Sequence, residues 1–274
     1  MTIDDALADA KARGLDALDA QVLLARCVAQ ARTWLLAHGD VTLEASQSSC
    51  FGALVARRAA GEPLAYLTGV REFRGLLLEL DDTVLIPRPE TELLVDWGLE
   101  VLHLPDWPCA PQVIDLGTGS GAVALALKAE FPTADVFASD TSALAIRVAR
   151  GNASRLGLEV HFLQGDWWSA AMGRTFDLAV GNPPYIACGD PHLAELTHEP
   201  KFALTPGPTG LEAIASVIRG AGARLRAGSW LLLEHGFDQA ASVRLMLQQS
   251  GFAEVQTRRD IAGVERCTGG RAAA

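Results

Sequence analysis

Hydrophobic side chains recur at helical spacing along the first part of the chain. Phe51, Leu54 and Val55 form one such set, because residues three and four apart lie on the same face of an α-helix. Thr2 followed by Asp5 is the capping-box pattern that begins a helix. Breaks between the predicted helices fall at Gly14, Gly39-Asp40 and Gly61-Glu62-Pro63. The pattern predicts a small helical bundle over residues 1–63 that packs or recognises a protein and carries no cluster of catalytic residue types.

The period changes from helical to alternating after residue 64. Leu76, Leu78 and Leu80 alternate with other side chains, and a second apolar run follows at residues 83–86. Alternation is typical of strands, so we predict a β-hairpin linker over residues 64–88 with its two strands at these places. Pro89 is well placed to begin the next helix. The prolines and charges of residues 86–92 indicate either a solvated helix start or a segment that faces a functional site.

From residue 112 onward, short apolar runs alternate with amphipathic stretches. This order is typical of a mostly parallel sheet, so residues 89–274 are predicted to form one α/β domain. The predicted strands lie at 113–116, 136–140, 160–163, 176–180 and 230–233, and the helices at 122–129, 142–156, 211–225 and before Gly251. A strand at 253–257 and another near Cys267 are predicted to close the sheet as an antiparallel hairpin, and residues from Gly269 onward to fray.

Composition and charge limit the classes of function. Of the 274 residues, 49% are hydrophobic and 20% are charged, as is ordinary for a globular protein with a core. A formal net charge of -10 argues against a protein that grips duplex nucleic acid through many phosphates. The five cysteines are widely spread without a C-x-x-C pair, which favours reduced thiols over disulfides or a zinc site. Neither a signal peptide nor a run of membrane-spanning length is present, so we expect a cytoplasmic protein with no membrane contact, no metal and no stable nucleic-acid binding. We also expect a monomer.

A glycine-rich loop, Gly117-Thr118-Gly119-Ser120-Gly121, follows the first strand of the α/β domain. Its glycines let the backbone turn sharply and approach a ligand at the start of the next helix. Asp140 ends the next strand, about 20 residues after the loop, where an acid can accept hydrogen bonds from both hydroxyls of a ribose. The loop and this acid together predict a cofactor that contains a nucleoside.

Two cofactors fit this loop. Gly117, Gly119 and Ala122 match the G-x-G-x-x-G/A pattern of dinucleotide dehydrogenases, so hydride transfer is one alternative. S-adenosylmethionine is favoured because Asp115 precedes the loop, where a carboxylate suits a cationic amino or sulfonium group and would repel a pyrophosphate. A double-proline turn after the fourth strand, which hydride-transfer enzymes lack, favours the same cofactor.

Asp166-Trp167-Trp168 follows the third strand and suits an adenine. The acid would accept a hydrogen bond from the exocyclic amine, and the indole would stack on the ring. The alternative is that both tryptophans fill the core, and we expect only one to face the ligand. The predicted cofactor-binding residues are Asp115, Gly117, Thr118, Gly119, Ser120, Gly121, Asp140, Asp166, Trp167 and Asn182.

The double-proline turn is Asn182-Pro183-Pro184-Tyr185. Prolines have no backbone N–H, so the strand cannot continue through them, and a residue before proline is held extended. The result is a stiff turn at the carboxyl end of a strand, where open α/β sheets bind ligands. Its side-chain amide, carbonyls and aromatic ring suit a planar group with N–H donors, such as an amide or a nucleobase amine. The alternative is a structural turn capped by a buried tyrosine.

These motifs resemble the protein-(glutamine-N5) methyltransferases that act on peptide chain release factors, over essentially the whole chain. The matching segments are Gly69–Phe73, Ile86–Glu92, the glycine loop with Asp115, Asn182–Tyr185, Glu234-His235-Gly236, and Asp260 with Arg266. Two segments of the substrate-facing loop depart from the family pattern. Residues 206–211 lack the acid usual before the Gly-Leu pair, and Leu196-Thr197-His198 replaces a commoner Val-Arg-Phe-like run.

The resemblance implies a five-helix N-terminal domain, a β-hairpin linker and a Rossmann-like class I methyltransferase domain with a seven-stranded sheet. It also implies methyl transfer from S-adenosylmethionine to the side-chain nitrogen (N5) of the glutamine in a Gly-Gly-Gln motif of a release factor. On this hypothesis the Asn182 side-chain oxygen and the Pro183 carbonyl accept the two N–H groups of the glutamine. Pro184 stiffens the turn, Tyr185 packs against the flat face of the amide, and residues 1–63 recognise the release factor.

Three other functions remain as alternatives. DNA adenine N6 methylation uses the same four-residue turn, but the acidity of the chain and the absence of a separate target-recognition region after the turn disfavour it. N5-glutamine methylation of a ribosomal protein would use the same catalytic half. A non-catalytic adaptor would keep the fold without binding the cofactor.

Overall fold

A computed structural model describes residues 1–105 and 107–273, and the chain divides into two compact units that meet between Val70 and Arg71. In the first unit, where every residue is described, five helices are present: α1 Ile3–Ala12, α2 Ala17–Val28, α3 Arg32–Ala37, α4 Ala45–Ala59 and α5 Leu64–Thr68. The capping box predicted for α1 is confirmed, because the Asp5 N–H donates to Thr2 and the Asp5 carboxylate accepts from the Thr2 N–H. Phe51, Leu54 and Val55 are buried in the core of this unit, as their spacing predicts.

The β-hairpin is present, but its strands lie earlier than the alternation predicts. They are β1 Val70–Phe73 and β2 Leu76–Glu79, while residues 83–86 form no strand. The turn between them is Arg74-Gly75, with φ values of 48° and 75°. Two residues with positive φ make the tight turn whose twist matches a hairpin, so the chain reverses before Leu76. The strand predicted from Leu76 is therefore present as β2, but its partner is β1 before the turn, and the strand predicted at 83–86 is wrong.

The second unit contains a sheet of seven strands within its described residues. In chain order they are β3 Gln112–Leu116, β4 Asp135–Asp140, β5 His161–Gln164, β6 Phe176–Gly181, β7 Leu225–Glu234, β8 Phe252–Arg259 and β9 Glu265–Ala272. Their spatial order is β5-β4-β3-β6-β7-β9-β8, and β9 runs in the direction opposite to the other six strands. The helices of this unit are α6 Glu92–Leu102, α7 Ala122–Glu130, α8 Ala143–Leu156, α9 Glu212–Ala221 and α10 Ala240–Gln249. The predicted Rossmann-like, mostly parallel seven-stranded fold is confirmed.

The sheet is buried on both faces. Val113 of β3 packs in one hydrophobic cluster with Trp97, whereas its neighbour Ile114 packs in a second cluster with Val217. Successive side chains of a strand point to opposite faces, so a strand covered on both sides needs a continuous apolar run. This double burial explains why β3 and β6 carry such runs. The two strands are parallel neighbours, so their carboxyl ends, with Asp115 and the double-proline turn, stand at one edge of the sheet.

Two sequence predictions near the end of the chain are wrong. Residues 269–272 do not fray: they belong to β9, which lies between β7 and β8, while residue 274 lies outside the described residues. Gly269 is buried, and a Cβ there would lie 2.5 Å from a methyl of Leu232, so only glycine fits. The helix predicted at 211–225 ends at Ala221, and β7 begins at Leu225 rather than at 230. The Phe176 N–H donates to the Arg224 carbonyl (2.8 Å), which draws this segment onto the start of β6.

No described helix has both the length and the apolar character needed to cross a bilayer. No group of three or more His, Cys, Asp and Glu side chains in residues 1–105 and 107–273 is placed to hold a metal ion.

Candidate active site

A cavity lies at the carboxyl ends of β3, β4 and β6, and we call it the glycine-loop cavity. Its lining includes Gly117, Gly119, Asp140, Trp167, Asn182 and Pro184. The segment before α6 contributes as well, through residues 83–85, which the sequence analysis assigned to a strand. The structure thus brings the glycine loop, the acid after β4 and the double-proline turn to one place.

The glycine loop is held by the strand beside it. The N–H groups of Gly117 and Thr118 both donate to the Ser139 carbonyl at 2.9 Å. Gly119 has a φ of 55°, and a Cβ there would meet no protein atom within 4 Å, so the space beside it is open. Gly121 is different, because its Cβ would lie 3.0 Å from Leu125. The structure therefore gives Gly121 a packing role at the start of α7, and its predicted contact with a cofactor has no geometric support.

Asp140 stands at the wall of the glycine-loop cavity with a fixed orientation. Its Oδ2 accepts from the Gly119 N–H and its Oδ1 from the Ser142 N–H, both at 2.9 Å. Burial raises the pKa of this carboxyl, and the backbone donors oppose the rise. An ionised carboxylate has about four acceptor positions, so both oxygens keep capacity for further donors such as two hydroxyls.

Asp115 lies beneath the loop, 2% exposed. Its Oδ2 accepts from the Thr118 hydroxyl (2.6 Å) and the Ala124 N–H (3.2 Å). Burial raises the pKa of Asp115 to about 7. The residue lines a small cavity together with Ser120 and Asn182. A cation bound there would favour the charged form of the Asp115 carboxylate. The role of Asp115 opposite a cationic group stays a prediction.

The two adjacent tryptophans have different surroundings. Trp167 lines the glycine-loop cavity, and a Cβ on Gly117 would lie only 3.2 Å from its Cζ3. Trp168 is buried in the core, and its Nε1 donates to the Val217 carbonyl at 2.8 Å. One tryptophan therefore faces the cavity, as expected. Asp166 is exposed and is not part of the described lining of that cavity, so its predicted contact with adenine stays a prediction without support from this geometry.

The double-proline turn separates the glycine-loop cavity from a second one, which we call the turn cavity. Leu85, Pro183, Tyr185 and Leu196 contribute to the lining of the turn cavity. Asn182 and Pro184 line both cavities. The turn is therefore not covered by other side chains, and a group in the turn cavity would meet the space beside the glycine loop at Asn182.

A hydrogen bond orients the Asn182 side chain. Its Nδ2 donates to the hydroxyl of Thr91 at 3.2 Å, and Thr91 is buried. Because this bond uses the amide nitrogen, Oδ1 is the atom that Asn182 offers as an acceptor. Thr91 lies in the segment 86–92, so the site-facing interpretation of that segment holds for this residue.

Tyr185 is held by a buried acid that the sequence analysis quoted only as part of a family motif. Its hydroxyl donates to Glu234 Oε1 at 3.3 Å. Burial and the nearby carboxylate raise the pKa of the Tyr185 phenol. Glu234 is 1% exposed, and burial raises its pKa to about 7. Its Oε2 is buried and has no hydrogen-bond partner among the described residues.

The long loop after the turn folds back onto it. Gln239 Nε2 donates to the Tyr185 carbonyl at 2.9 Å, and Gly210 approaches so closely that a Cβ would lie 2.4 Å from the same oxygen. Glu199 is buried, accepts from the Ile86 N–H at 3.2 Å and pairs with the Arg88 guanidinium. Sequence reasoning missed Thr91, Glu199 and Gln239 as site residues. At Glu199 the local signal was an acidic residue directly before Pro200 in a long loop.

The loop segment that departs from the family pattern has its own acid. Glu212 directly follows the Gly-Leu pair, and its Oε1 accepts from both the N–H and the hydroxyl of Thr209 at 2.8 Å. These bonds fix residue 209 where the sequence lacks an acid. Leu196, from the other departing run, lines the turn cavity.

Comparisons with known proteins agree with this geometry. The family described as "PrmC N-terminal domain" matches residues 3–69, and the family described as "Methyltransferase small domain" matches residues 93–206. The release factor glutamine methyltransferase of Burkholderia pseudomallei is 49% identical over 95% of this chain and 94% of its own length. The protein of the same name from Bordetella pertussis is 48% identical over 98% of each chain.

A solved structure shows the same fold at low identity. The T. thermophilus 16S rRNA methyltransferase, in complex with AdoMet and guanosine, superposes with a TM-score of 0.56 at 20% identity. The match covers 74% of this chain and 49% of that one. Because the curated relatives match along nearly the whole length, this chain belongs to the release factor glutamine methyltransferase family and is an S-adenosylmethionine-dependent methyltransferase.

Proposed function

We propose that this chain methylates the side-chain nitrogen N5 of the glutamine in the Gly-Gly-Gln motif of a peptide chain release factor. The observation that carries the proposal is the position of the double-proline turn. Asn182 and Pro184 line both the glycine-loop cavity and the turn cavity, so an amide in one would lie beside a cofactor in the other. The relatives that match along the chain are named for release factors and for glutamine, which supports this substrate.

The residues of the glycine-loop cavity fit S-adenosylmethionine. The open space beside Gly119, the two-acceptor carboxylate of Asp140 and the indole of Trp167 suit a loop-bound nucleoside with a ribose and a planar base. When bound, this cofactor supplies a methyl group on a sulfonium and leaves as S-adenosylhomocysteine. We assign its binding to Gly117, Gly119, Asp140 and Trp167, with Asp115 and Asn182 beneath and beside it.

The chemical problem for the protein is that an amide nitrogen is a poor nucleophile, because its lone pair is delocalised into the carbonyl. In our proposal Asn182 Oδ1 and the Pro183 carbonyl accept the two N–H groups and fix the nitrogen. The same acceptors stabilise the positive charge that grows on nitrogen as the N–C bond forms. Orientation of this kind can lower a barrier by roughly 7–11 kcal/mol in favourable cases. The proton leaves to solvent after transfer, so the proposal requires no strong base.

The test is radiolabel transfer from S-adenosylmethionine to a purified release factor, with the modified glutamine located by mass spectrometry. We expect transfer by the natural chain, none to a factor whose motif glutamine is replaced, and a loss of about a hundredfold with Asn182→Ala, comparable to removing one oriented polar group from an active site. Gln248→Ala removes an exposed amide on α10 and serves as the matched control.

Two further arms address the alternatives. A ribosomal protein and an adenine-containing DNA duplex are offered in place of the release factor under the same conditions. Preferential labelling of either one, or full transfer by Asn182→Ala, would refute the proposed substrate or the proposed role of the turn.

A further inference from the structure

Glu234 is a buried acid whose burial the fold alone does not explain. It ends β7, one residue after Leu233, which pairs with Gly181 directly before Asn182. Arg266 is the basic group that acts on it, but its Nε pairs with Asp260 at 3.3 Å. A buried carboxylate is costly unless its oxygens are used, and Glu234 Oε2 has no hydrogen-bond partner in the described chain. An apolar side chain would fill this place at lower cost, so the carboxylate calls for a functional explanation.

The groups around Glu234 are the ones that shape the turn cavity. Tyr185 donates its hydroxyl to Oε1 at 3.3 Å, and the Thr91 hydroxyl is among the groups that lower the pKa of the acid. A threonine hydroxyl has one proton and two lone pairs. When Glu234 takes that proton, a lone pair of Thr91 is left to accept from Asn182 Nδ2, which lies 3.2 Å away. An acid that accepts this proton from Thr91 would thereby determine which end of the Asn182 amide faces the cavity.

We propose that Glu234 is a positioning residue of the amide site, which acts through Thr91 to hold Asn182 with its oxygen outward and acts directly to hold the Tyr185 ring. The inference rests on the proposed function, because an outward oxygen matters only if the cavity receives an N–H donor. It adds that the site depends on the ionised form of a residue that does not touch the substrate. A protonated Glu234 would itself be a donor, and Thr91 and Asn182 would no longer be oriented.

The electrostatic surroundings set the pH at which this occurs. Burial raises the pKa of Glu234, with Glu90 raising it further, while Thr91, Tyr185 and Arg266 oppose the rise; the result is about 7.

On the β9 side Glu234 pairs in register with Cys267, whose thiol pKa is raised by burial. His235 follows in the chain, but its ring nitrogens contact the Gly236 carbonyl and the Thr268 hydroxyl. Arg88, which precedes α6, lowers the pKa of Tyr185 through its positive charge. We therefore expect methyl transfer to fall as the pH drops below about 7.

The test measures kcat and KM for the release factor between pH 5.5 and 8.5, together with the dissociation constant of S-adenosylmethionine. Glu234→Gln and Thr91→Val are each expected to lower kcat about tenfold or more, a loss equivalent to one oriented hydrogen bond, without weakening cofactor binding. Thr91→Ser keeps the hydroxyl and is expected to regain most of the activity. With S-adenosylmethionine saturating at each pH, so that Asp115 stays charged beside it, the acid limb of kcat is expected to disappear in Glu234→Gln.

A double variant and a surface control complete the design. Glu234→Gln with Thr91→Val is expected to lose no more activity than the worse single variant, because both act through one chain of hydrogen bonds. Glu254→Gln removes a half-exposed acid on β8 and is expected to behave as the natural chain.

The outcomes separate the two proposals. Multiplying losses in the double variant, an acid limb that persists in Glu234→Gln, or full activity in Thr91→Val would each overturn the positioning role while leaving the proposed function intact. No transfer to a release factor by the natural chain would overturn the proposed function itself. If Glu234→Gln fails to fold, the comparison of Thr91→Val with Thr91→Ser still decides.

Discussion

At the scale of single residues, the site depends on hydrogen bonds that are already in use before any ligand arrives. Asp140 has both oxygens held by backbone N–H groups, and Asn182 has its nitrogen held by Thr91. Each bond leaves one defined set of acceptors facing a cavity. Preorganised acceptors of this kind need not reorient when charge develops, which is why their arrangement matters more than their number.

The buried acid Glu234 predicts a pH-dependent stability. Its ordinary pKa is 4.5 and its value in the folded chain is about 7, so between these pH values the folded state binds a proton that the unfolded state has lost. The free energy of unfolding therefore falls as the pH rises through this window, by about 3 kcal/mol from this group. Glu234→Gln has no titrating group at this position, so it lacks this pH-dependent fall in the free energy of unfolding. We expect the variant to gain stability relative to the natural chain between pH 5 and pH 8, measured by urea unfolding.

The pKa of Asp115 is raised in the same direction. Asp115 is present in both the natural chain and Glu234→Gln, so its effect cancels from the difference between their free energies of unfolding. A stability difference that does not change with pH would contradict the prediction. The opposite effects expected of Glu234→Gln on stability and on turnover also make the two measurements independent of each other.

At the scale of elements, β9 shows how a strand rich in glycine can lie inside a sheet. It is antiparallel to both β7 and β8, and its Gly269 faces Trp97 of α6. A Cβ there would lie 2.8 Å from the Leu231 carbonyl and 2.9 Å from Trp97 Cη2. The missing side chain is what lets α6 approach the sheet, and α6 in turn follows directly from Thr91.

Gly269→Ala is therefore expected to destabilise the chain by about 3 kcal/mol, as overpacking of a close-packed core does. Gly151→Ala is the matched control, because Gly151 lies in α8 and a Cβ there would meet nothing within 4 Å. Alanine in a helix is favoured over glycine by roughly 0.5–1 kcal/mol, so the control is expected to be neutral or more stable. Thermal melts of the two variants decide, and equal melting temperatures would show that β9 is not packed as described.

At the scale of the whole molecule, the proposed catalytic groups all belong to the second unit, which begins at Arg71. We infer that the first unit serves recognition of the release factor, as the sequence analysis predicts for residues 1–63. Leu36 and Val41 are exposed apolar side chains of this unit, 65% and 38% accessible. Burial of these side chains against a partner would contribute to the binding free energy, so they test this inference.

Leu36→Asp with Val41→Asp is expected to raise KM for an intact release factor about tenfold, because buried apolar contacts dominate binding energy at protein interfaces. KM for a short peptide containing the glutamine motif is expected to stay unchanged. Leu245→Asp, at a similarly exposed position on α10, is the control. Equal effects of both variants on the intact factor, or an effect on the short peptide, would argue against recognition by the first unit.

Much of this protein was determined by its sequence alone. The helices of the first unit, the alternation of strands and helices in the second, the glycine loop and the double-proline turn depend on local properties: the period of apolar residues, capping pairs, and the conformations that glycine and proline allow. Asp140, Trp167 and Asn182 could be placed at one site because carboxyl ends of parallel strands meet at the same edge of a sheet.

Only the tertiary structure decided the contacts made across long sequence separations. Thr91 bonds to Asn182, Glu199 to Ile86 and Gln239 to Tyr185, and none of these pairs has a local pattern. The position of β9 between β7 and β8 was equally hidden, because apolar alternation specifies a face of a strand and not its neighbours. Hydrogen-bond partners of buried polar groups are fixed by where the whole chain brings them, and the sequence records them only as isolated polar residues.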